Sequence, residues 1–262
     1  MRVVSYNILA PSYIRPDWYP FTDRSHLAWE ARQERLAARL LGFDGDVLCL
    51  QEVEPYVYEF LQGRLEPALY QGTYVPKSQG RPDGGATFYR SDRLTQVEAR
   101  TLNFHDGAGG QDSGHVALVS TFDRQGSILH IVNTHIRWGA PEERGDEHVG
   151  FRQVRELLKQ LGALRLAIAY IICGDFNAEP ESEIVNMIVR SGMRDAYAGA
   201  PQPTCNSNRH AQRIDYLFYR PAMEVVPMAL PVIDDETPLP SADEPSDHLP
   251  IAADFGIIMQ SA

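Results

Sequence analysis

No apolar run in this 262-residue chain is longer than eight residues, and the runs repeatedly end on Asn, Asp, Glu or His. The longest, Leu166 to Cys173, is strand-sized and far short of the roughly 20 apolar residues that a membrane helix needs. Many short apolar runs therefore have to be buried against one another. Sheets do that when helices or a second sheet cover their faces.

The runs are expected to alternate with a few helices. Arg2 to Leu9 and Val47 to Leu50 read as strands, and Pro11 to Ser25 reads as a surface loop with three prolines. Trp29, Arg32, Leu36, Leu40 and Leu41 follow helical spacing up to Gly42, and Val57, Phe60, Leu61 and Leu65 place a helix within Tyr56 to Tyr70. Strands are expected around Tyr74 and over Ala86 to Tyr89, Thr95 to Asn103, Val116 to Phe122 and Ile128 to Asn133. Val154, Leu157, Leu158, Leu161 and Leu164 mark the clearest helix. A buried strand from Ile168 to Cys173 and a helix from Ser182 to Arg190 follow it. Strands over Ile214 to Tyr219, Val225 to Leu230 and Ile251 to Phe255 close the pattern. No internal repeat is visible, and Asp234 to Pro245 reads as an exposed acidic loop. One α/β domain over residues 1–262, with two packed sheets, is the expectation.

Charge narrows the partners. The formal net charge is −11, which opposes the phosphate neutralisation on which extended nucleic-acid binding depends. No extended basic patch is expected, nor a membrane partner, and the chain reads as a monomer. Met1-Arg2-Val3-Val4-Ser5-Tyr6-Asn7 lacks the basic-then-apolar layout of a secretory leader, which points to the cytoplasm. Cys49, Cys173 and Cys205 have neither paired nor zinc-like spacing, and the first two read as small core residues. P-loop, His-Glu-x-x-His and Gly-x-Ser-x-Gly patterns are missing, so kinase-like, zincin and serine-esterase chemistry lack support.

The polar run ends are the candidates for chemistry: Asn7, Glu52, His135, Asp175 with Asn177, Asp215, and Asp247 with His248. A single polar residue after a strand is usually a turn former. Six such placements on a sheet scaffold point instead to one site at the strand ends. Their oxygens are hard donors suited to Mg²⁺ or Mn²⁺, and two histidines beside carboxylates suit acid–base or transition-state contacts.

The segments Ser5-Tyr6-Asn7-Ile8-Leu9, Leu50-Gln51-Glu52-Val53, Asn133-Thr134-His135, Gly174-Asp175-Phe176-Asn177, Ile214-Asp215-Tyr216 and Ser246-Asp247-His248-Leu249-Pro250 occur in the order of the endonuclease/exonuclease/phosphatase (DNase I-like) superfamily, which the chain resembles. The opening Ser-Tyr-Asn-Ile-Leu-Ala, Trp29 to Val53 and Gly84 to Arg90 resemble its deadenylase, nocturnin and Angel-like branch. The resemblance implies a four-layer α/β/β/α sandwich, with two packed, mainly antiparallel sheets flanked by helices. It implies a metal at Asn7, Glu52 and Asp247, with Glu52 the principal ligand. It also implies that Asp175 orients or deprotonates the attacking water and that Asn177 helps hold phosphate and nucleophile. His248, oriented by Asp215, would contact a phosphoryl oxygen, with His135 on the other side of the phosphate. Such a set performs metal-assisted in-line water attack on phosphorus.

Substrate contacts are sketched less fully. Arg90, Arg213, Trp138 and His210 are candidates for phosphate or substrate, with a structural salt bridge the equal alternative for Arg90 and Arg213, and Asp23, Asp112 and Asp146 read as solvated acids sooner than as ligands of a second metal. The branch's base-stacking aromatic has no counterpart in Thr204 to His210, where only His210 offers a ring. The expectation is a divalent-metal-dependent phosphodiesterase acting on small diesters or nucleic-acid ends. Phosphomonoesterase, 2′,3′-cyclic phosphatase or 3′ exoribonuclease activity is the alternative. An inactive binding module with the same fold is opposed by the complete set of site residues.

Overall fold

The computed structural model describes residues 1–105, 110–140, 142–164, 169–200, 202–220 and 223–257. In chain order the first half forms β1 (Arg2–Asn7), α1 (Trp29–Gly42), β2 (Val47–Val53), α2 (Pro55–Leu65), β3 (Tyr70–Pro76), β4 (Gly84–Arg90) and β5 (Thr95–Asn103). The second half forms β6 (Val116–Arg124), β7 (Ser127–His135), α3 (Val149–Ala163), β8 (Tyr170–Asp175), α4 (Glu183–Arg190), β9 (Arg194–Asp195), β10 (Cys205–Ser207), β11 (His210–Gln212), β12 (Asp215–Tyr219), β13 (Met223–Pro227) and β14 (Ile251–Ile257). The start of the expected Ile168 strand, like the apolar residues 166–168, lies outside the described residues.

Two six-stranded sheets result, ordered β13-β14-β1-β2-β4-β3 and β5-β6-β7-β8-β12-β9, beside a two-stranded hairpin of β10 and β11. Each large sheet has a single parallel pair at its centre, β1 with β2 and β7 with β8, and is otherwise antiparallel. A parallel pair needs a crossover, and α1 and α3 provide it. The two halves share one plan: β1-β2-β4-β3 in one sheet matches β7-β8-β12-β9 in the other. That repeat lives in topology and is invisible in the sequence.

The core fills three layers. Val4, Leu48, Leu50 and Phe88 pack under Leu36, Leu40, Val57 and Leu61 of α1 and α2. On the other sheet, Val132, Ile172 and Phe218 pack under Val154, Leu157, Ile184 and Ile188 of α3 and α4. Between the sheets lie Val3, Val47, Cys49, Ile131, Ile171, Cys173, Leu217 and Ile251. Strand alternation then fixes the site, because side chains two apart share a face. Val3–Ser5–Asn7, Ile131–Asn133–His135, Ile171–Cys173–Asp175 and Leu217–Asp215 each begin in the inter-sheet core and climb to its edge. At the middle level Gln51 Nε2 donates to Asn133 Oδ1 at 2.8 Å and to Ser5 Oγ at 3.2 Å, joining the sheets.

Several expectations need correction. The second helix stops at Leu65, not Tyr70: Glu66–Ala68 form a 3-10 turn, Pro67 cannot continue an α-helix, and Leu69 is left-handed (φ 65°). The acidic loop ending at Pro245 is not fully exposed, because buried Glu244 accepts from the Tyr6 hydroxyl and pairs with Arg39. The short strands β9 to β11 give too little periodicity to read from sequence.

Arg32 is the least expected core residue. It is wholly buried on α1 and donates to the carbonyls of Leu27, Ile8, Leu9 and Pro245 at 3.2, 3.0, 2.8 and 2.9 Å. It thereby ties the chain after Asn7 to the chain before Asp247. Arg32→Leu strips donors from four carbonyls and should destabilise the fold by about 3 kcal/mol, the scale of buried polar groups left unpaired. Urea unfolding that shows a loss under about 1 kcal/mol would remove Arg32 from this role.

Candidate active site

The inward stripes end in a cleft of about 1290 Å³ that exposes Glu52, His135, Asp175, Asn177, Asp247 and His248. Local backbone geometry aims these groups. The β2–β4 register slips between Leu50 and Val53, and Glu52 takes a left-handed φ of 58°, which turns its carboxylate toward the cleft. Gly174, before Asp175, has φ 144° and passes so close to Thr134 O that a Cβ there would lie 1.8 Å away. Only glycine fits.

Asn7 is the joint of the site. Its Nδ2 donates to Glu52 Oε1 at 3.0 Å and to Asp175 Oδ2 at 2.9 Å, while its Oδ1 accepts from Leu9 N at 3.1 Å. Glu52 Oε2 also accepts from Ala10 N at 2.8 Å, and Asp175 Oδ1 from Asn177 N at 2.8 Å. Two imidazoles flank Asp175: Nε2 of His135 lies 3.5 Å and Nε2 of His248 lies 3.7 Å from its Oδ2. Nδ1 of His248 lies 2.9 Å from Asp215 Oδ2, which also accepts from Thr204 Oγ1 at 2.6 Å. Asn177 Nδ2 donates to Ile136 O at 2.9 Å and lies 3.1 Å from His135 Nε2. Asp247 Oδ2 accepts from the buried Tyr19 hydroxyl at 2.9 Å.

Electrostatics divides the two histidines. Burial, aided by Lys77, His115 and His248, holds His135 well below its ordinary range, so it is neutral near pH 7. Burial also opposes charge on His248, but Cys205 and Asp215 outweigh it and the ring is held well above its ordinary value. Asp175 is pushed up to about 7 by burial, against the lowering influence of His248 and with Asp215 raising it further. Glu52 is raised by burial first and then by the charge of Asp247.

Glu52 and Asp247 make no ion pair among the described residues. Two mutually repelling carboxylates are hard oxygen donors that a divalent cation of the Mg²⁺ or Mn²⁺ kind fits, while Asn7 turns an amide N–H toward Glu52 and its oxygen toward Leu9 N. Acidic and imidazole groups close enough to share a metal are also present at Asp175, Asp215 and His248. There Asp215 holds the ring through Nδ1, and Nε2 faces Asp175.

Sequence reasoning missed a second layer. Lys77, itself buried, pairs with buried Asp83 at 2.6 Å and lies 3.4 Å from His135 Nδ1. Tyr13 donates to the other oxygen of Asp83 at 2.6 Å. Lys77 and Asp83 sit at the facing ends of β3 and β4, and no motif marks them.

The substrate candidates divide. Trp138 and His210 line the cleft, with His210 Nε2 at 3.9 Å from Glu179. Arg90 does not: β2 and β4 run antiparallel, so it lies at the end of the sheet away from Glu52, paired with Asp44 and Asp92. Arg213 is buried against Asp195 and over the Tyr216 ring, outside the cleft lining. Asp23, Asp112 and Asp146 cap local turns or pair with Arg155 and do not converge. Aromatic lining comes from an unexpected place, since Trp18 joins Trp138 in the cleft, 49% and 62% exposed.

Comparison with known proteins identifies the family and the fold. The family model described as Endonuclease/Exonuclease/phosphatase family matches residues 4–248. Human nocturnin is 29% identical across 100% of this chain, which spans about two thirds (66%) of that protein. The solved human nocturnin catalytic domain, with bound sulfate anion, superposes with a TM-score of 0.79 at 29% identity and covers 98% of this chain and 93% of its own. A CCR4-Not complex 3′-5′-exoribonuclease subunit of Candida albicans is 24% identical over 97% of this chain and 40% of its own length. ANGEL2, described as a 2′,3′-cyclic phosphatase and solved with adenosine-2′,3′-vanadate, shares the fold at TM-score 0.86 and 22% identity, with 97% and 94% of the two chains covered. The chain belongs to the endonuclease/exonuclease/phosphatase family, in its deadenylase, nocturnin and Angel-like branch.

Proposed function

We propose that this protein is a phosphodiesterase dependent on Mg²⁺ or Mn²⁺, working as a single domain on small, base-bearing diesters or nucleic-acid ends. The observation that carries the reading is the convergence of Asn7, His135 and His248 on one oxygen of Asp175. Asn7, Glu52 and Asp247 would hold the cation, which supplies charge for the phosphoryl oxygens. Asp175, whose raised proton affinity suits it to accept a proton near neutral pH, takes the proton of the attacking water. Asn177 and neutral His135 position that water and the phosphate from one side. His248, charged and braced by Asp215, donates to a phosphoryl oxygen as negative charge grows there.

Charge and aromatics favour a small substrate. Glu143, Glu179, Glu181 and Glu183 share the cleft lining with Arg15, Arg81, Arg137 and Arg144, and the net charge of −11 sets an overall field that opposes a long phosphate chain. Trp18 and Trp138 offer the ring surface missing from the segment before Asp215 and suit a nucleobase. A diester places one negative charge where a monoester dianion places two. The exoribonuclease and cyclic-phosphatase descriptions of relatives keep RNA ends and cyclic phosphates in the test panel.

EDTA should abolish turnover of a bis-aryl phosphodiester, and Mg²⁺ or Mn²⁺ should restore it. Full activity after exhaustive chelation would refute the metal assignment. Asp175→Ala and His248→Ala should each lower kcat by at least about a hundredfold with a smaller change in KM, as for interactions made in the transition state. A near-normal kcat in either folded variant would remove that residue from its role. Under one metal and salt condition, diesters should exceed the matching monoester in kcat/KM, and Trp138→Ala should raise KM chiefly for base-bearing substrates. A tenfold monoester preference would favour the phosphatase reading instead.

A further inference from the structure

We propose that Cys205, Asp247 and His248 form a second cation site, selective for thiophilic divalent ions of the Zn²⁺ class, whose occupation inhibits the enzyme. One ligand atom from each residue lies within 4.8 Å of the other two, all three side chains are buried, and all line the cleft. An ion can therefore reach them through the same opening as substrate. Backbone pairing fixes the trio: Cys205 bridges antiparallel to His248, and Asn206 N donates to Asp247 O at 2.9 Å. Little rearrangement is needed to present three donors.

The donor chemistry sets the selectivity. Thiolate, imidazole and carboxylate together suit Zn²⁺ or Cd²⁺, whereas Mg²⁺ avoids sulfur and keeps to oxygen. Binding forms metal–sulfur and metal–nitrogen bonds in place of the Cys205 S–H bond and one His248 N–H bond, both protons passing to buffer. Inhibition follows because the soft ion engages Asp247 and His248, which the proposed reaction needs for the hard cation and the phosphoryl oxygen. The inhibition rests on that functional reading, while the binding does not.

The test uses the full chain in excess Mg²⁺. Cd²⁺ titration should give a thiolate-to-metal ultraviolet band that saturates at one ion per chain, is displaced by Zn²⁺ and disappears in Cys205→Ser. Zn²⁺ should inhibit the wild type, and Cys205→Ser should need at least tenfold more Zn²⁺ for the same inhibition. Cys205→Ala, which adds no buried hydroxyl, gives the same reading if the serine variant does not fold. A wild-type protein with no band, or a band unchanged in the variants, overturns the site. Equal Zn²⁺ sensitivity of active wild type and variant overturns the inhibition. If the wild type turns over no phosphoester, the Cd²⁺ band still decides the site, so the two failures stay distinct.

Discussion

The side-chain amide of Asn7 spans the gap between the two sheets and sets the geometry of everything above it. Its two N–H bonds reach Glu52 in its own sheet and Asp175 in the other. Such a bridge works only if the strand ends arrive at one level, and the layer beneath secures that. Gln51 and Asn133 exchange a cross-sheet bond, and Asn133 Nδ2 also donates to the carbonyls of Leu50 and Ala86 at 3.1 and 2.9 Å. A polar pair buried between sheets is costly unless it is satisfied, and satisfied it selects one register over the alternatives. A slip of one residue in either sheet would turn Asn7 or Asp175 to the opposite face.

The same bridge crowds negative charge. Glu52, Asp175 and Asp247 approach one another where solvent is largely excluded, and burial raises the first two. The chain answers with charged His248 on the Asp175 side, whereas among the described residues Glu52 and Asp247 accept from amide and hydroxyl donors, with the buried Arg32 guanidinium the charge they feel from behind. That asymmetry is the physical reason for assigning a cation to Glu52 and Asp247 and acid–base work to Asp175.

Much of this was legible in the sequence, and for one reason: alternation. Strands β1, β7 and β8 carry an apolar residue two or four positions before Asn7, His135 and Asp175 on the same face, as in Ile171–Cys173–Asp175, whereas Glu52 leaves the Leu48–Leu50 face through the slip in β2. Helices were readable where an apolar stripe persisted, as in α1 and α3. What stayed hidden depends on contacts far apart in the chain. Arg32 falls on the apolar stripe of its helix, but nothing local says that its charge is met there by four carbonyls, one of them at Pro245. Lys77 and Asp83 flank a turn and have no motif. Arg90 was placed near phosphate on local sequence alone, although strand direction carries it to the other end of the sheet. Trp18 lay in a proline-rich loop that gave no cue to its position in the cleft.

The shared topology of the two halves explains why the site is built from matched positions. β1 and β7 correspond, and their last residues are Asn7 and His135. β2 and β8 correspond, and their ends carry Glu52 and Asp175. At the starts of β4 and β12 stand Asp83 and Asp215, and each holds a basic side chain: Lys77 at 2.6 Å and His248 at 2.9 Å. Each held base in turn approaches a member of the other pair, Lys77 reaching His135 and His248 reaching Asp175. One structural plan thus supplies, twice, a residue at each parallel strand end and a carboxylate-anchored base. Chemical difference arises only from which residues fill the plan. The first half fills the strand ends with Asn7 and Glu52 and the second with His135 and Asp175, of which Asp175 is pushed up to about 7. Facing each other across the inter-sheet layer, the two halves set Asn7 and Glu52 opposite His135 and Asp175, an arrangement that the proposed in-line attack on phosphorus would use.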